Sequence, residues 1–153
     1  MRVTSRVWCA LALVMAAACG AGAPEPAVLD VGREACTFCR MTVSQIDFAS
    51  QVVVPGELPK FFDDLGCLGN YLTSTKDAPA AAMIYVTDRR TKTWVRADEA
   101  VFTRVPALST PMGSHLVAHA TQASRDADPD VAAGVPVTLA DVVPAAWRAQ
   151  GAK

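Results

Sequence analysis

The sequence predicts an α+β domain in which two small sheet-plus-helix halves, each ββαβ-like, form one compact unit. Three observations carry this. Short runs rich in Val, Ile, Phe, Tyr and Trp recur along the chain and are cut by Pro, Gly or charged turns, as strands are. Two amphipathic helical patterns interleave with those runs. The resulting order is strand, strand, helix, strand, strand, a short further segment, helix, strand, which suits small antiparallel sheets each backed by one helix.

The strand-like runs are residues 48–54, 60–62, 82–88 and 92–97. Asp88-Arg89-Arg90-Thr91 separates the last two as a hairpin loop. Asp64 is placed to cap a helix carrying Leu65, Leu68 and Leu72 on one face, and Ser114 to cap one carrying Leu116, Ala120, Ala123 and Ala127. Residues 126–134, polar and then rich in Ala and Gly, read as a loop. A strand over residues 135–137 leads into residues 138–143, and Pro144 marks its end. The halves run over about residues 40–88 and 92–143, inside a domain spanning residues 34–145 with a C-terminal tail at 146–153.

The N-terminus reads as a leader. Arg2 and Arg6 give a positive start, residues 7–18 an apolar stretch, and Ala16-Ala17-Ala18 the small residues a signal peptidase needs before Cys19. An apolar run of about a dozen residues is too short to span a bilayer of roughly 30 Å as a helix. Cys19 after small residues resembles a bacterial lipobox, although Ala16 stands where that pattern usually has Leu. The resemblance implies removal of residues 1–18, lipidation of Cys19, and a membrane-anchored protein facing the periplasm. Several acyl chains would make that anchor stable where one would be marginal. Residues 19–33 then serve as lipidated terminus and flexible tether, and Gly20 supplies no aspartate-type inner-membrane retention signal.

Charge excludes one class of partner. The chain carries a formal charge of −1, and loss of Arg2 and Arg6 makes it more negative still. General binding to a phosphate backbone needs the opposite balance, so no nucleic-acid partner is expected.

Cysteine usage is more informative. With Cys9 in the leader and Cys19 lipidated, Cys36, Cys39 and Cys67 remain, an odd number. One disulfide with a leftover thiol accounts for three; so does a metal site that keeps them reduced. Cys36-Thr37-Phe38-Cys39-Arg40-Met41 places three sulfur residues within a few positions. In an extended segment Cys39 and Met41 share one face about 7 Å apart at Cα. Thiolate and thioether ligands select Cu(I) over hard cations, whereas core packing is the ordinary fate of a methionine. A thioredoxin-like pair would open a helix after a strand, which these flanks do not offer, and Arg40 in place of His removes the c-type haem pattern.

Further candidates lie downstream. Met112 sits in Pro111-Met112-Gly113, a stiff turn that presents its side chain away from a helical core face. Cys67 falls in the first turn after Asp64, where the helix dipole lowers a thiol pKa, and it also suits a small core position. His115 and His119 are four apart and would share a helix face, a metal-binding spacing that also arises by chance. For Asp63 and Asp64, capping is the simpler role than a catalytic pair.

Taken together these segments resemble the NosL family of periplasmic copper lipoproteins associated with nitrous oxide reductase. The resemblance rests on the leader, the Cys36 to Met41 motif, Phe61-Phe62-Asp63-Asp64-Leu65-Gly66-Cys67-Leu68, Val86-Thr87-Asp88, Trp94-Val95 with Ala97, and Thr110-Pro111-Met112-Gly113, all in order. It implies a fold distantly similar to the organomercurial lyase domain, one Cu(I) per monomer, no enzymatic activity, and delivery of copper from a periplasmic or membrane donor to nitrous oxide reductase. It implies Cys39, Met41 and Met112 as ligands, with Cys36 and Cys67 as auxiliary ligands or a disulfide; the Ser-His after Met112-Gly113 is less usual in the family and leaves His115 as an additional auxiliary ligand or gate. Arg40 departs from the pattern, since many relatives have Gly before the Met, and it bears on the local backbone. One thiolate with two thioethers around Cu(I) sums to zero charge, a site that can release its metal.

Two other classes fit parts of the sequence. A thiol enzyme, either a dithiol oxidoreductase or an organomercurial-lyase-like protein, would use Cys36, Cys39 and Cys67. A structural zinc domain would use the same cysteines with a His, and would leave neither methionine a role.

Overall fold

The computed structural model describes residues 23–148. The lipidation and cleavage expectations at residues 1–19 lie outside them. Among the described residues no helix is long and apolar enough to cross a membrane.

The first sheet contains β1 (Ser50–Val53), β2 (Lys60–Phe62), β3 (Met83–Thr87) and β4 (Trp94–Arg96), in the order β2-β1-β3-β4 and antiparallel throughout. Helix α1 (Leu65–Ser74) connects β2 to β3 and buries Leu65, Cys67, Leu68 and Leu72. The second sheet contains β5 (Val101–Arg104), β6 (Leu116–His119) and β7 (Val135–Val137), ordered β6-β5-β7, with α2 (Gln122–Asp126) between β6 and β7. Each half therefore runs strand, strand, helix, strand with its first strand in the middle, and β4 is an added edge on the first sheet. The ββαβ expectation holds, with β4 on the other side of the division from where the sequence put it.

The halves are joined at Asp88, in the β3–β4 hairpin loop. Its carboxylate accepts from Arg90 N and Thr91 N at 2.9 Å within the loop and from Ala120 N at 2.8 Å across to the second half. Arg89 N donates to the Ala118 carbonyl at 2.9 Å. The Arg89 guanidinium reaches Asp128 at 2.5 Å and Asp130 at 2.7 Å, and His119 Nε2 lies 3.1 Å from the same Asp128. His119 is fully buried in this network.

Several sequence expectations change here. The helix expected from Ser114 is strand β6 over Leu116–His119, because those residues pair with β5 along their whole length; the helix begins only after Thr121, whose side chain accepts from Ser124 N. His115 and His119 consequently share no helix face. The expected loop at 126–134 contains a 3-10 turn, Pro129–Val131, which buries Val131 completely. Beyond β7 the chain turns helical, with α3 (Leu139–Val142) closed by a Thr138–Asp141 capping box, and α4 (Ala145–Arg148) following Pro144. Trp147, assigned to the tail by sequence, is buried and donates from Nε1 to the Leu72 and Thr75 carbonyls at 3.1 and 3.0 Å, sealing the end of α1. At the other terminus, part of the expected tether is held on the sheet: Ala27 exchanges two hydrogen bonds with the Gln51 side chain, and Tyr85 Oη donates to the Pro24 carbonyl at 2.6 Å.

Candidate metal centre

The Cys36 to Met41 segment is a tight turn. Ala35 pairs with Thr42 in a single antiparallel bridge, Cys36 N donates to the Met41 carbonyl at 2.7 Å, and Arg40 N donates to the Cys36 carbonyl at 3.0 Å. Closing so short a loop requires a left-handed residue, and Arg40 takes it at φ 67°. A side chain in that conformation costs roughly 1–2 kcal/mol relative to the right-handed region, which explains why Gly suits the position. Cys39 and Met41 therefore flank a reversal of the chain, and the alternation of an extended strand does not relate them.

One further bond docks the turn. Thr37 N donates to the Phe61 carbonyl at 2.8 Å, laying the turn beside the end of β2. Asp63 follows β2, and Cys67 stands in the first turn of α1. The outcome is a cluster of Cys36, Cys39, Asp63 and Cys67 whose ligand atoms all lie within 4.8 Å of one another. Cys39 Sγ lies 3.6 Å from both carboxylate oxygens of Asp63. Cys36, Cys67 and Asp63 are buried, whereas Cys39 is only partly so, which makes it the accessible sulfur. All three cysteines are free thiols.

Burial is the largest influence on the two inner thiols. It pushes the Cys36 pKa up, as does hydrogen bonding to the Asp63 side chain, opposed by hydrogen bonds from the backbone amides of Cys39, Asp63 and Phe38. For Cys67 burial again leads, and hydrogen bonding to Asp63 together with the nearby Cys36 and Asp63 charges pushes in the same direction. The helix dipole expected to activate Cys67 is outweighed by this desolvation. The inner sulfurs are therefore neutral thiols at neutral pH without metal, and a cation must displace their protons to bind.

Asp64 fastens a second loop beside the cluster. Its Oδ1 accepts from Gly66 N at 2.6 Å, the helix cap expected from sequence, while Oδ2 accepts from Thr110 Oγ1 at 2.7 Å and Met112 N at 3.0 Å. Burial alone would raise its pKa, but hydrogen bonds from Ser114, Thr110, Met112 and Gly66 together hold it below the usual carboxylate range. Gly66 makes this approach feasible: a Cβ there would stand 2.9 Å from Ser114 Cβ and 3.0 Å from Asp64 Oδ1. The Met112 backbone is thus tied to the residue next to Asp63, and Met112 as a whole is 46% exposed. Met41 is 56% exposed. His115, at φ 59°, is partly buried on the same loop, its Nδ1 2.8 Å from the Leu108 carbonyl.

Of the sequence candidates, then, Cys36, Cys39 and Cys67 converge, Met41 closes the same turn, and Met112 and His115 lie on the loop tied to Asp64. Asp63 was missed as a member of the cluster. The signal available was its position between an apolar strand and Cys67, which the capping role of its neighbour obscured. A cluster of three thiols and one carboxylate is competent to hold a thiophilic metal ion. No curated protein and no solved structure matches the chain. The NosL family model matches residues 29–146, which hold the turn, the cluster and the Met112 loop, and the chain belongs to the NosL family.

Proposed function

We propose that this protein is a lipid-anchored, periplasmic Cu(I) carrier that accepts copper from a periplasmic or membrane donor and delivers it to the copper centres of nitrous oxide reductase. The single observation that carries the metal-carrying part is the convergence of three free sulfurs within 4.8 Å, one of them accessible. Membership of the NosL family supports the choice of copper and of acceptor.

The cluster supports binding and release in one place. Cu(I) prefers thiolate and thioether sulfur and is satisfied by few ligands, so buried Cys36 and Cys67 hold it from below while Cys39 faces outward. Phe38, Met41 and Met112 are exposed apolar side chains next to or tied to this outlet. In this reading they meet the acceptor, and the two methionines supply thioether ligands through which the ion leaves by exchange. The alternative of a structural zinc domain is less favoured, because it gives neither methionine a role and the fold already closes around a hydrophobic core that includes Cys36 and Cys67.

The test is anaerobic Cu(I) titration against a coloured Cu(I) chelator. One ion per chain is expected, with affinity lowered by Cys39→Ser and Met112→Leu and unchanged by Asp126→Asn on the exposed surface of α2. Equal affinity in all of these would refute the site. Transfer of the bound ion to copper-free nitrous oxide reductase, faster than from a small chelator of matched affinity, tests the acceptor.

A further inference from the structure

Adjacent thiols support two reactions, metal binding and thiol–disulfide exchange, and the geometry bears on both. All three sulfurs lie within 4.8 Å of one another and none is bridged. A disulfide brings its sulfurs to about 2.05 Å, so closing any pair moves them together by no more than roughly 3 Å, within reach of a rotamer change.

The three sulfurs are not equivalent. Cys39 alone is partly exposed, so an incoming reagent meets it first. Cys36 follows through the short turn closed by its own carbonyl and Arg40 N, so its sulfur and that of Cys39 belong to one local segment of chain. Cys67 is buried on α1, a helix held in the core by Leu65, Leu68 and Leu72, so pairing it with Cys39 must reach outside the turn.

We propose that the cluster is a redox-gated metal site, in which an external disulfide reacts at Cys39 and Cys36 then closes a Cys36–Cys39 disulfide that evicts the cation. Cys39 sulfur attacks the external disulfide, whose S–S bond breaks; one external thiol leaves with the Cys39 proton, and a mixed disulfide remains. Cys36 sulfur attacks Cys39, the mixed bond breaks, and the second external thiol leaves with the Cys36 proton. Two protein thiols are oxidised to one disulfide and one external disulfide is reduced to two thiols. In the loaded protein the metal stands in place of those protons, and the ion leaves in its original oxidation state to an acceptor or chelator, the departing thiolates taking protons from water. The gate rests on the metal occupying the cluster; the exchange chemistry does not.

The experiment incubates the reduced, metal-free protein anaerobically with oxidised glutathione, quenches with acid, and maps the products by peptide mass spectrometry, which separates these cysteines from Cys9 and Cys19. Wild type should give a Cys36–Cys39 disulfide with Cys67 free, preceded by a glutathione adduct on Cys39. Cys36→Ser should accumulate that adduct, and Cys67→Ser should still close the disulfide. An absent disulfide, or one that includes Cys67, overturns the assignment. Cu(I) affinity measured before and after oxidation should fall by about a hundredfold or more, two decades on the affinity scale, and return on reduction. Equal affinities in the two states overturn the gate. A reduced protein that fails to bind Cu(I) overturns the carrier reading and the gate with it, and the disulfide map separates that failure from a failure of the exchange chemistry.

Discussion

Replacing Asp64 by Asn tests whether the Met112 loop is fastened to the metal centre as described. The carboxylate is fully buried, with Oδ1 capping α1 and Oδ2 accepting from Thr110 Oγ1 and Met112 N. Asn keeps the volume and one oxygen. If that oxygen stays on Gly66 N, the amide NH2 is left facing the two donors that Oδ2 had accepted, and a second NH cannot accept. The Thr110 hydroxyl can turn toward Ser114 Oγ, 3.5 Å away, so its loss is partial. The Met112 amide has no such recourse, and an unsatisfied buried donor costs about 1–3 kcal/mol, with charge-assisted bonds at the upper end. The expected loss is about 2–4 kcal/mol of unfolding free energy, read as a lower urea midpoint at unchanged slope. Amide exchange at Met112 should accelerate more than at Leu68, on the far side of the cap, and Cu(I) affinity should fall. A loss below about 0.5 kcal/mol, the size of an ordinary surface change, would refute the account of this anchor.

Other perturbations follow from the same structure. Gly66→Ala should cost about 1–3 kcal/mol in urea unfolding and loosen the Met112 loop, because its Cβ would meet Ser114 Cβ at 2.9 Å; a neutral result would contradict the close approach. Asp88 has its pKa lowered to about 2, because hydrogen bonds from Ala120, Thr91, Ser124 and Arg90 outweigh the opposing effect of burial. A depressed carboxylate stabilises the fold above its unfolded value near pH 4, and that stability is lost as pH falls through 2, roughly 2–3 kcal/mol in all. Asp88→Asn should remove this part of the acid dependence in urea titrations at successive pH values, leaving a flatter profile. Trp147→Ala should cost about 3–5 kcal/mol by thermal or urea melting, since it empties a buried site and frees the Leu72 and Thr75 carbonyls; a change typical of a frayed tail would show that α4 does not seal α1.

Where local chemistry decided the structure, it was legible in the sequence. β2 at Lys60–Phe62, β7 at Val135–Val137, the Asp64 cap and the Asp88 hairpin all follow from apolar runs and turn residues acting on near neighbours. The misread segments are those that long-range pairing decides. Leu116-Val117-Ala118-His119 has a helical spacing of apolar residues if extended to Ala127, yet β5 pairs with it residue for residue and Thr121 restarts the chain as a helix. Trp147 looked like part of a tail because its burial depends on carbonyls more than seventy residues earlier. The same holds at the metal centre. The cysteine turn and Met112 announced themselves by composition, whereas Asp63 joined them only because Thr37 docks the turn on the end of β2. The strain at Arg40 was foreshadowed by the resemblance to relatives with Gly there, and its left-handed φ gives the reason.

X-ray absorption at the copper edge, recorded on the anaerobically loaded protein, addresses the metal centre itself. A first shell made only of sulfur, at one ion per chain and lost from a Cys36→Ser, Cys39→Ser, Cys67→Ser variant that still folds, is the predicted result. Imidazole scattering in the first shell, or a copper signal unchanged by removal of all three thiols, would contradict it.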